Sequence, residues 1–304
     1  MTTIAICTEG TTNMKFVTFI DAAGKEQVGL VHNDAVQALE SLGKAYPDMA
    51  AFIAAYTPEV GRELADKAQR AGGGIPLSQV TLTAPIPRPR HDIICIGQNY
   101  LEHALESARY KGVEYVKPSH PTYFSKRVGL PVGQGGIIPS HQDATSRLDY
   151  ECELAVVIGK CCSKVAPADV FEHIFGYTIV NDVSARDRQN NHSQWTYGKG
   201  MDGFAPMGPC IVTRDEFRDP PHVQVKTRVN GEPRQDSNTD EFIFDIPYLI
   251  SELSLGITLE PGDILITGTP SGVGLGFEPP KFLKPGDVVE CEIEGIGVLK
   301  NTVQ

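Results

Sequence analysis

Residues 149–159, "DYECELAVVIG", combine an acidic start with an uninterrupted apolar run. The apolar part has the length and the β-branched composition of a strand that is buried on both faces. Side chains two positions apart in a strand point to the same face, so Glu151 and Glu153 are expected side by side. The stretch therefore predicts a central strand that presents two carboxylates at its beginning.

A second stretch shows how little this alternation proves alone. "VVECEIEG" places Glu290, Glu292 and Glu294 between apolar residues, which is typical of a half-buried strand with one solvated face. By the same pattern, Glu151 and Glu153 are ordinary surface residues unless another acidic group joins them. Asp182 lies at the end of the predicted strand "YTIVND" and is the group expected to do so.

Three converging carboxylates predict a metal site at Glu151, Glu153 and Asp182. Each pair of like charges at about 4 Å costs about 4 kcal/mol at an effective dielectric constant of about 20. Such a cluster must bind a cation or take up a proton. Glu151→Ala or Asp182→Ala is expected to abolish activity with little loss of stability, because removing one member relieves repulsion. Three oxygen ligands that leave coordination positions open suit Mg²⁺ or Mn²⁺.

The stretch "GQNYLEHALE" predicts a helix that begins at Asn99. His103 and Glu106 are three positions apart, so they share one face of that helix. A carboxylate beside an imidazole raises its basicity and fixes its tautomer, as expected of a general base that acts on water. The alternative is an exposed His–Glu pair of little consequence.

Other motifs carry weaker signals. "RDRQ" supplies Arg186 and Gln189, which are donors for a substrate carboxylate or members of a polar turn. Lys199, in "WTYGKGMDGF", is either a pocket cation or a solvated loop lysine. The glycine-rich stretch 268–276, "GTPSGVGLG", lacks the Lys-Ser/Thr pair of a phosphate-binding loop.

Composition limits the class of protein. The chain has 304 residues, is 41% hydrophobic and 21% charged, and carries a net charge of −11, which disfavours an electrostatic nucleic-acid or anionic-membrane binder. No apolar run approaches the roughly 18 to 20 residues of a membrane span. The first residues lack the basic region of a secretory signal, and the scattered cysteines indicate reduced thiols. A cytoplasmic protein is expected, with a mitochondrial location left open.

The chain divides into two predicted domains. Residues 1–85 indicate a small N-terminal α+β domain, with a hairpin formed by "KFVTFID" and "VGLVH" and a helix from Pro58 to Ala71. Residues 86–304 are rich in strands and lack the regular βαβ alternation of Rossmann or TIM folds. The expected fold class is therefore α+β, mainly β, with a curled or rolled sheet.

Five motifs together resemble the fumarylacetoacetate hydrolase superfamily, in particular its longer subtype: "NYLEH", "DYECELAVVIG", "NDVSARD", "GKGMDGFAPMGP" and "LEPGDILITGTPSGVG". The resemblance implies a mixed β-roll that forms a homodimer. It also implies that Mg²⁺ or Mn²⁺ binds to the three acidic residues named above, and that His103 and Glu106 form a catalytic dyad on a lid helix.

The same resemblance implies roles for four further residues. Arg186, Gln189, Lys199 and Thr269 match positions that hold the substrate carboxylate or line the pocket, and Lys199 is grouped with the catalytic residues. The implied substrate is a small 2-oxo or 2,4-dioxo acid that chelates the metal and reacts through an enolate.

Three functions follow, in order of expectation. The first is a metal-dependent enzyme that hydrolyses the carbon–carbon bond of acylpyruvates or decarboxylates oxaloacetate. The second is an oxaloacetate keto–enol tautomerase. The third is a metal-binding pseudoenzyme or regulatory dimer.

Overall fold

The structure is a computed structural model that describes residues 14–304. Residues 1–13, which include the stretch expected to lack a signal and the start of the predicted domain 1–85, lie outside the described residues. The first nine strands are β1 (Lys15–Ile20), β2 (Glu26–His32), β3 (Ala35–Ala38), β4 (Ile75–Pro76), β5 (Thr81–Leu82), β6 (Ile93–Gly97), β7 (Thr122–Lys126), β8 (Ile137–Ile138) and β9 (Leu148–Asp149). The next nine are β10 (Cys152–Ile158), β11 (Ile174–Asn181), β12 (Ser184–Ala185), β13 (Met207–Thr213), β14 (Gln224–Val229), β15 (Glu232–Asn238), β16 (Ile264–Ile266), β17 (Val288–Ile293) and β18 (Gly297–Val303).

Helices are few and short beside these strands. They are α1 (Met49–Ala55), α2 (Pro58–Ala71), α3 (Leu101–Lys111), α4 (Arg186–Asn191), α5 (Thr196–Lys199) and α6 (Ile246–Ser254). The predicted hairpin β1–β2 and the predicted helix from Pro58 to Ala71 are both confirmed. None of the helices in residues 14–304 has the length and apolarity that a membrane crossing requires.

One large mixed sheet organises the molecule. Its strands follow the order β4-β3-β2-β1-β13-β11-β10-β16-β6-β7, and β5 pairs with β1 as the eleventh strand. Strands β6 and β16 run parallel, whereas the other pairs in this sheet are antiparallel. A second sheet of five strands, in the order β15-β14-β17-β18-β8, covers part of the first.

Strand β10 is buried on both faces, as predicted. Leu154, Val156 and Ile158 point into one hydrophobic core, whereas Ala155 and Val157 point into the other. Each face of the strand is therefore covered by protein, and a charged side chain at its beginning is placed in a low-dielectric environment.

Strand β17 behaves as the contrasting case. Val289 and Cys291 are buried, while Glu290 and Glu292 between them are partly exposed. Glu292 contacts Arg228 Nη2 at 2.5 Å in an ion pair on this outer face. The alternating pattern in β17 therefore corresponds to a solvated face of the sheet and not to a metal or catalytic site.

The sheet runs across the predicted domain boundary. Strand β1 pairs with β13 through Lys15↔Val212 and Phe16↔Ile211, so residues 14–85 extend the sheet of the rest of the chain. The boundary at residue 85 itself stays a prediction.

Candidate metal centre and active site

The pairing of β10 with β11 brings the three acidic residues together. The register sets Cys152 opposite Asn181, and the backbone N–H of Asp182 donates to the carbonyl of Glu151 at 2.8 Å. One carboxylate oxygen from each of Glu151, Glu153 and Asp182 lies within 4.8 Å of the other two, and all three residues are buried. The expected convergence is therefore present in the structure, whereas the binding of a metal there stays a prediction.

Two buried lysines pair with two of these carboxylates. Lys199 Nζ lies 2.7 Å from Glu151 Oε2 and 2.7 Å from Asp182 Oδ2. Lys126 Nζ lies 2.7 Å from Asp182 Oδ1, and the Lys126 side chain is fully buried. The Lys199 side chain is 2% exposed, so the solvated-loop alternative for this residue is wrong. Both lysines belong to the charged interior of the site.

Arg186 connects the acidic cluster to Asp149 at the end of β9. Its Nη1 lies 2.6 Å from Glu151 Oε1 and donates to Gln189 Oε1 at 3.1 Å, while its Nε donates to Asp149 Oδ2 at 2.8 Å. The remaining nitrogen, Nη2, is buried and has no hydrogen-bond partner within residues 14–304. Arg186 therefore retains a free donor that a ligand can use.

Glu153 differs electrostatically from its two neighbours. Burial, and then the charges of Asp182 and Glu151, raise the pKa of Glu153 well above its ordinary value. Burial also acts to raise the pKa of Glu151, but Arg186 and Lys199 outweigh it and lower that pKa below its usual range. Within residues 14–304 no basic side chain forms an ion pair with Glu153. Glu153 is therefore the one carboxylate of the three that no basic side chain of the described residues neutralises.

The donor set fits a hard divalent cation. Carboxylate oxygens are the ligands that Mg²⁺ and Mn²⁺ prefer. Each carboxylate offers about four lone-pair positions, so the oxygens that accept from Lys199 can still bind a cation. Glu151, Glu153 and Asp182 would hold the ion.

The helix α3 begins two residues later than predicted. Asn99 does not cap it, because the Asn99 side chain donates to the carbonyls of Thr267 at 2.9 Å and Phe244 at 3.0 Å. Its Oδ1 accepts from the Phe244 backbone N–H at 2.9 Å. Asn99 is thus a buried bridge between loops, and the helix starts at Leu101.

The predicted His–Glu pair is formed and buried. His103 Nδ1 lies 3.0 Å from Glu106 Oε2, and the side chains are 7% and 9% exposed. The alternative of an exposed surface pair is therefore wrong. Since a carboxylate accepts, Nδ1 carries the proton and Nε2 is left as the basic nitrogen.

One pocket unites the predicted residues. Those that line it are His103, Glu151, Glu153, Asp182, Arg186, Gln189, Lys199 and Thr269, while Glu106 stands behind His103. The hydroxyl of Thr269 donates to the Cys152 carbonyl at 3.0 Å and accepts from Gln235 Nε2 at 2.8 Å. Thr269 therefore also holds the strand that bears the two glutamates.

Sequence patterns did not indicate two members of the site, Lys126 and Asp149. Lys126 ends strand β7, and nothing in its neighbourhood of sequence distinguishes it from a solvated lysine. Asp149 opens the stretch 149–159, yet its role depends on Arg186, which is distant in the chain. The one available signal is indirect. A cluster of buried carboxylates requires cationic partners, but the sequence does not show which basic residues they are.

A family model described as the C-terminal domain of fumarylacetoacetate (FAA) hydrolase matches residues 92–304. The chain belongs to this family. The expected resemblance and the α+β, mainly β fold are thereby confirmed. The chain is therefore an enzyme of the fumarylacetoacetate hydrolase family, and its buried acidic residues could bind a divalent metal.

Three family members illustrate the range of relatives. The chain is 51% identical to the oxaloacetate tautomerase YisK of Bacillus subtilis over 75% of this chain and 74% of that protein. It is 45% identical to the mitochondrial oxaloacetate tautomerase Fahd2a of Rattus norvegicus over 75% and 71% of the two chains. The solved fumarylacetoacetate hydrolase of Exiguobacterium antarcticum superposes with a TM-score of 0.78 at 36% identity and covers 96% of this chain and 99% of that one.

Proposed function

We propose that this family member is a divalent-metal-dependent oxaloacetate keto–enol tautomerase. The observation that carries the proposal is 51% identity over three quarters of the chain to a protein of that name, together with the assembled site. The sequence motifs placed this function second, after carbon–carbon bond cleavage. The relatives support it better than cleavage or decarboxylation.

The reaction moves one proton between the oxygen on C2 and the carbon C3. In the ketone-forming direction the enol O–H proton leaves the oxygen, the C2=O bond forms, and the C2=C3 electron pair takes up a proton at C3. His103 Nε2 is the site's proton carrier, because Nδ1 is held by Glu106 at 3.0 Å. A divalent cation on the three carboxylates would supply Lewis-acid stabilisation of enolate charge.

Arg186 and Lys199 have complementary parts in this proposal. The free and buried Arg186 Nη2 is suited to a substrate carboxylate. Burial acts to lower the pKa of Lys199, but Asp182 and Glu151 outweigh it and hold that pKa above its ordinary value. The Lys199 ammonium lies 2.7 Å from both Glu151 and Asp182, so it is placed to stabilise negative charge on a substrate oxygen bound beside them.

Hydrolysis is the second candidate. It is supported by the His103–Glu106 dyad and by the similarity to the Exiguobacterium antarcticum protein, which is named a fumarylacetoacetate hydrolase. It requires His103 to activate a water that attacks a distal carbonyl. Tautomerisation requires no added water. Since both reactions use one base and one enolate, substrate tests must separate them.

The deciding experiment follows the enol of oxaloacetate by its ultraviolet absorbance with Mg²⁺ present, and measures pyruvate in the same sample. The proposal predicts that the protein accelerates enol decay without matching release of pyruvate. Pyruvate formed as fast as the enol disappears would point to decarboxylation instead. Rapid cleavage of acetylpyruvate with no effect on the enol would select the hydrolase.

Replacing His103 with asparagine is expected to slow enol decay by about 10²- to 10⁴-fold, because the amide keeps a donor near Glu106 but removes the basic nitrogen. Mn²⁺ affinity, measured by calorimetric titration, should stay at the wild-type value. His120→Asn, at an exposed histidine, is the matched control and should keep full activity. Unchanged turnover of His103→Asn would remove this residue from the mechanism.

The homodimer and the cytoplasmic location expected from the sequence stay predictions, as does the choice between Mg²⁺ and Mn²⁺.

A further inference from the structure

The glycine-rich segment 268–276 follows β16, and apart from Thr269 its residues have no part in the chemistry above. Its backbone nevertheless points repeatedly at acidic side chains. Gly268 N donates to Glu153 Oε2 at 2.6 Å and Gly272 N donates to Glu106 Oε1 at 3.0 Å. Gly274 N and Leu275 N donate to the two oxygens of Asp149 at 2.7 and 3.0 Å. Four backbone N–H groups of one segment thus bind three carboxylates.

These carboxylates belong to separate parts of the site. Glu153 is a predicted metal ligand, Glu106 orients His103, and Asp149 holds Arg186 Nε at 2.8 Å. Charge-assisted hydrogen bonds from backbone N–H groups are stronger than neutral ones and fix the direction of the acceptor. The segment therefore ties the metal ligand, the base and the arginine to one piece of backbone.

Close approach explains the glycines. A Cβ on Gly272, whose φ is +96°, would lie 1.9 Å from the Arg234 carbonyl oxygen, so a side chain there would disturb the backbone. Gly276 is different, because φ there is outside the left-handed region. The three atoms nearest to a Cβ on Gly276 all belong to Glu106, with Oε1 at 1.9 Å and Cδ at 2.1 Å. A methyl group at 276 thus meets the dyad carboxylate itself.

We propose that residues 268–276 form a main-chain carboxylate cradle, and that Gly276 is a positioning residue that sets the place of Glu106 and, through it, of His103. The inference rests on the proposed function only where turnover is measured. Gly276 is not among the residues that line the pocket, and the three atoms nearest to a Cβ on it all belong to Glu106, so the effect of a methyl group there is expected to pass through Glu106.

The first test is a double-mutant cycle with Gly276→Ala and Glu106→Asp. Gly276→Ala is expected to lower kcat by about 10- to 10²-fold, because a displaced base loses part of the rate enhancement that a positioned base provides. KM and Mn²⁺ affinity should stay within about twofold of wild type. Aspartate is one methylene shorter and makes room for the new methyl group. The double variant should therefore be no slower than Gly276→Ala alone. Multiplicative losses would show that the two positions act independently and would overturn the proposal.

A matched control separates positioning from a general effect of alanine. A Cβ on Gly256 would have no atom within 4 Å, and φ there is outside the left-handed region. Gly256→Ala should therefore match wild type in kcat and in melting temperature. Gly276→Ala is expected to melt somewhat below the wild type, because it displaces the buried Glu106 carboxylate from its hydrogen bonds to Gly272 N and His103 Nδ1, so kcat is compared at a temperature at which both proteins are folded.

A crystal structure of Gly276→Ala gives a result that needs no turnover. The proposal expects the Glu106 carboxylate to have left the Gly272 N–H and the His103 ring to have turned with it. A carboxylate still bonded to Gly272 N would overturn the proposal whatever the substrate is. If wild-type protein cleaves acetylpyruvate and leaves the enol of oxaloacetate untouched, the proposed function fails, and the cycle is then measured on acetylpyruvate.

Discussion

Replacing Glu153 with glutamine is expected to reduce turnover by about 10³-fold while leaving the metal-free protein at least as stable as wild type. The loss corresponds to several kcal/mol of Lewis-acid stabilisation of the enolate. Stability is kept because Glu153 has no basic partner within the described residues, and because burial, followed by the charges of Asp182 and Glu151, raises its pKa. The glutamine oxygen can still accept from Gly268 N.

Asp182→Asn is the matched comparison. This variant should also lose activity. In addition, it removes the carboxylate that lies 2.7 Å from both Lys126 Nζ and Lys199 Nζ in the wild type. Removing one partner of a buried ion pair typically costs about 3–5 kcal/mol. Both variants should bind Mn²⁺ at least about 10²-fold more weakly, as measured by calorimetry. Equal destabilisation of the two variants in EDTA, measured by urea denaturation, would contradict this assignment of partners.

These ion pairs correct an expectation drawn from the sequence. Loss of Glu151 or Asp182 was expected to relieve repulsion and leave stability nearly unchanged. The structure argues against that expectation for both residues, because each is paired with buried cations. Local sequence shows the three acids but not the bases that fold against them.

Replacing Lys126 with methionine is expected to destabilise the metal-free protein by about 3–5 kcal/mol. The ammonium is fully buried, lies 2.7 Å from Asp182 Oδ1 and donates to the Val183 carbonyl at 3.0 Å. Its loss leaves part of the Asp182 charge uncompensated in the interior. Urea denaturation in EDTA gives the free energy of unfolding.

Two further variants test the cause of that loss. Combining Lys126→Met with Asp182→Asn removes both charges and should be less destabilising than the sum of the two single changes. Lys67→Met removes a half-exposed lysine that pairs with Glu63 at 2.8 Å on α2, and should cost at most about 0.5 kcal/mol. Additive losses, or a Lys126 variant no worse than the Lys67 variant, would mean that the buried pair does not act as described.

Much of the site follows from the sequence because its geometry is periodic. The apolar run after Glu153 places the strand in the core, the two-residue repeat puts Glu151 and Glu153 on one face, and a three-residue spacing puts His103 and Glu106 on one turn. These relations need no knowledge of distant contacts.

The remainder depends on long-range pairing that no local pattern encodes. Lys126 ends β7, which is four places from β11 in the order of the sheet, yet its side chain contacts Asp182 just after β11. The glycine-rich segment 268–276 lacks the signature of a phosphate-binding loop, and its sequence suggests no other ligand. Its donors are backbone N–H groups, which every residue except proline has, so the sequence cannot mark the carboxylates they bind.

The most direct test of the central claim is the position of a divalent ion in a crystal soaked in Mn²⁺, located by anomalous scattering at the manganese edge. We expect one strong peak in contact with a carboxylate oxygen of each of Glu151, Glu153 and Asp182, at about 2.1 Å as for comparable hard cations. The metal assignment would be contradicted by a crystal in which Mn²⁺ fully occupies other sites but gives no peak here. In that structure Lys199 alone would bridge Glu151 and Asp182.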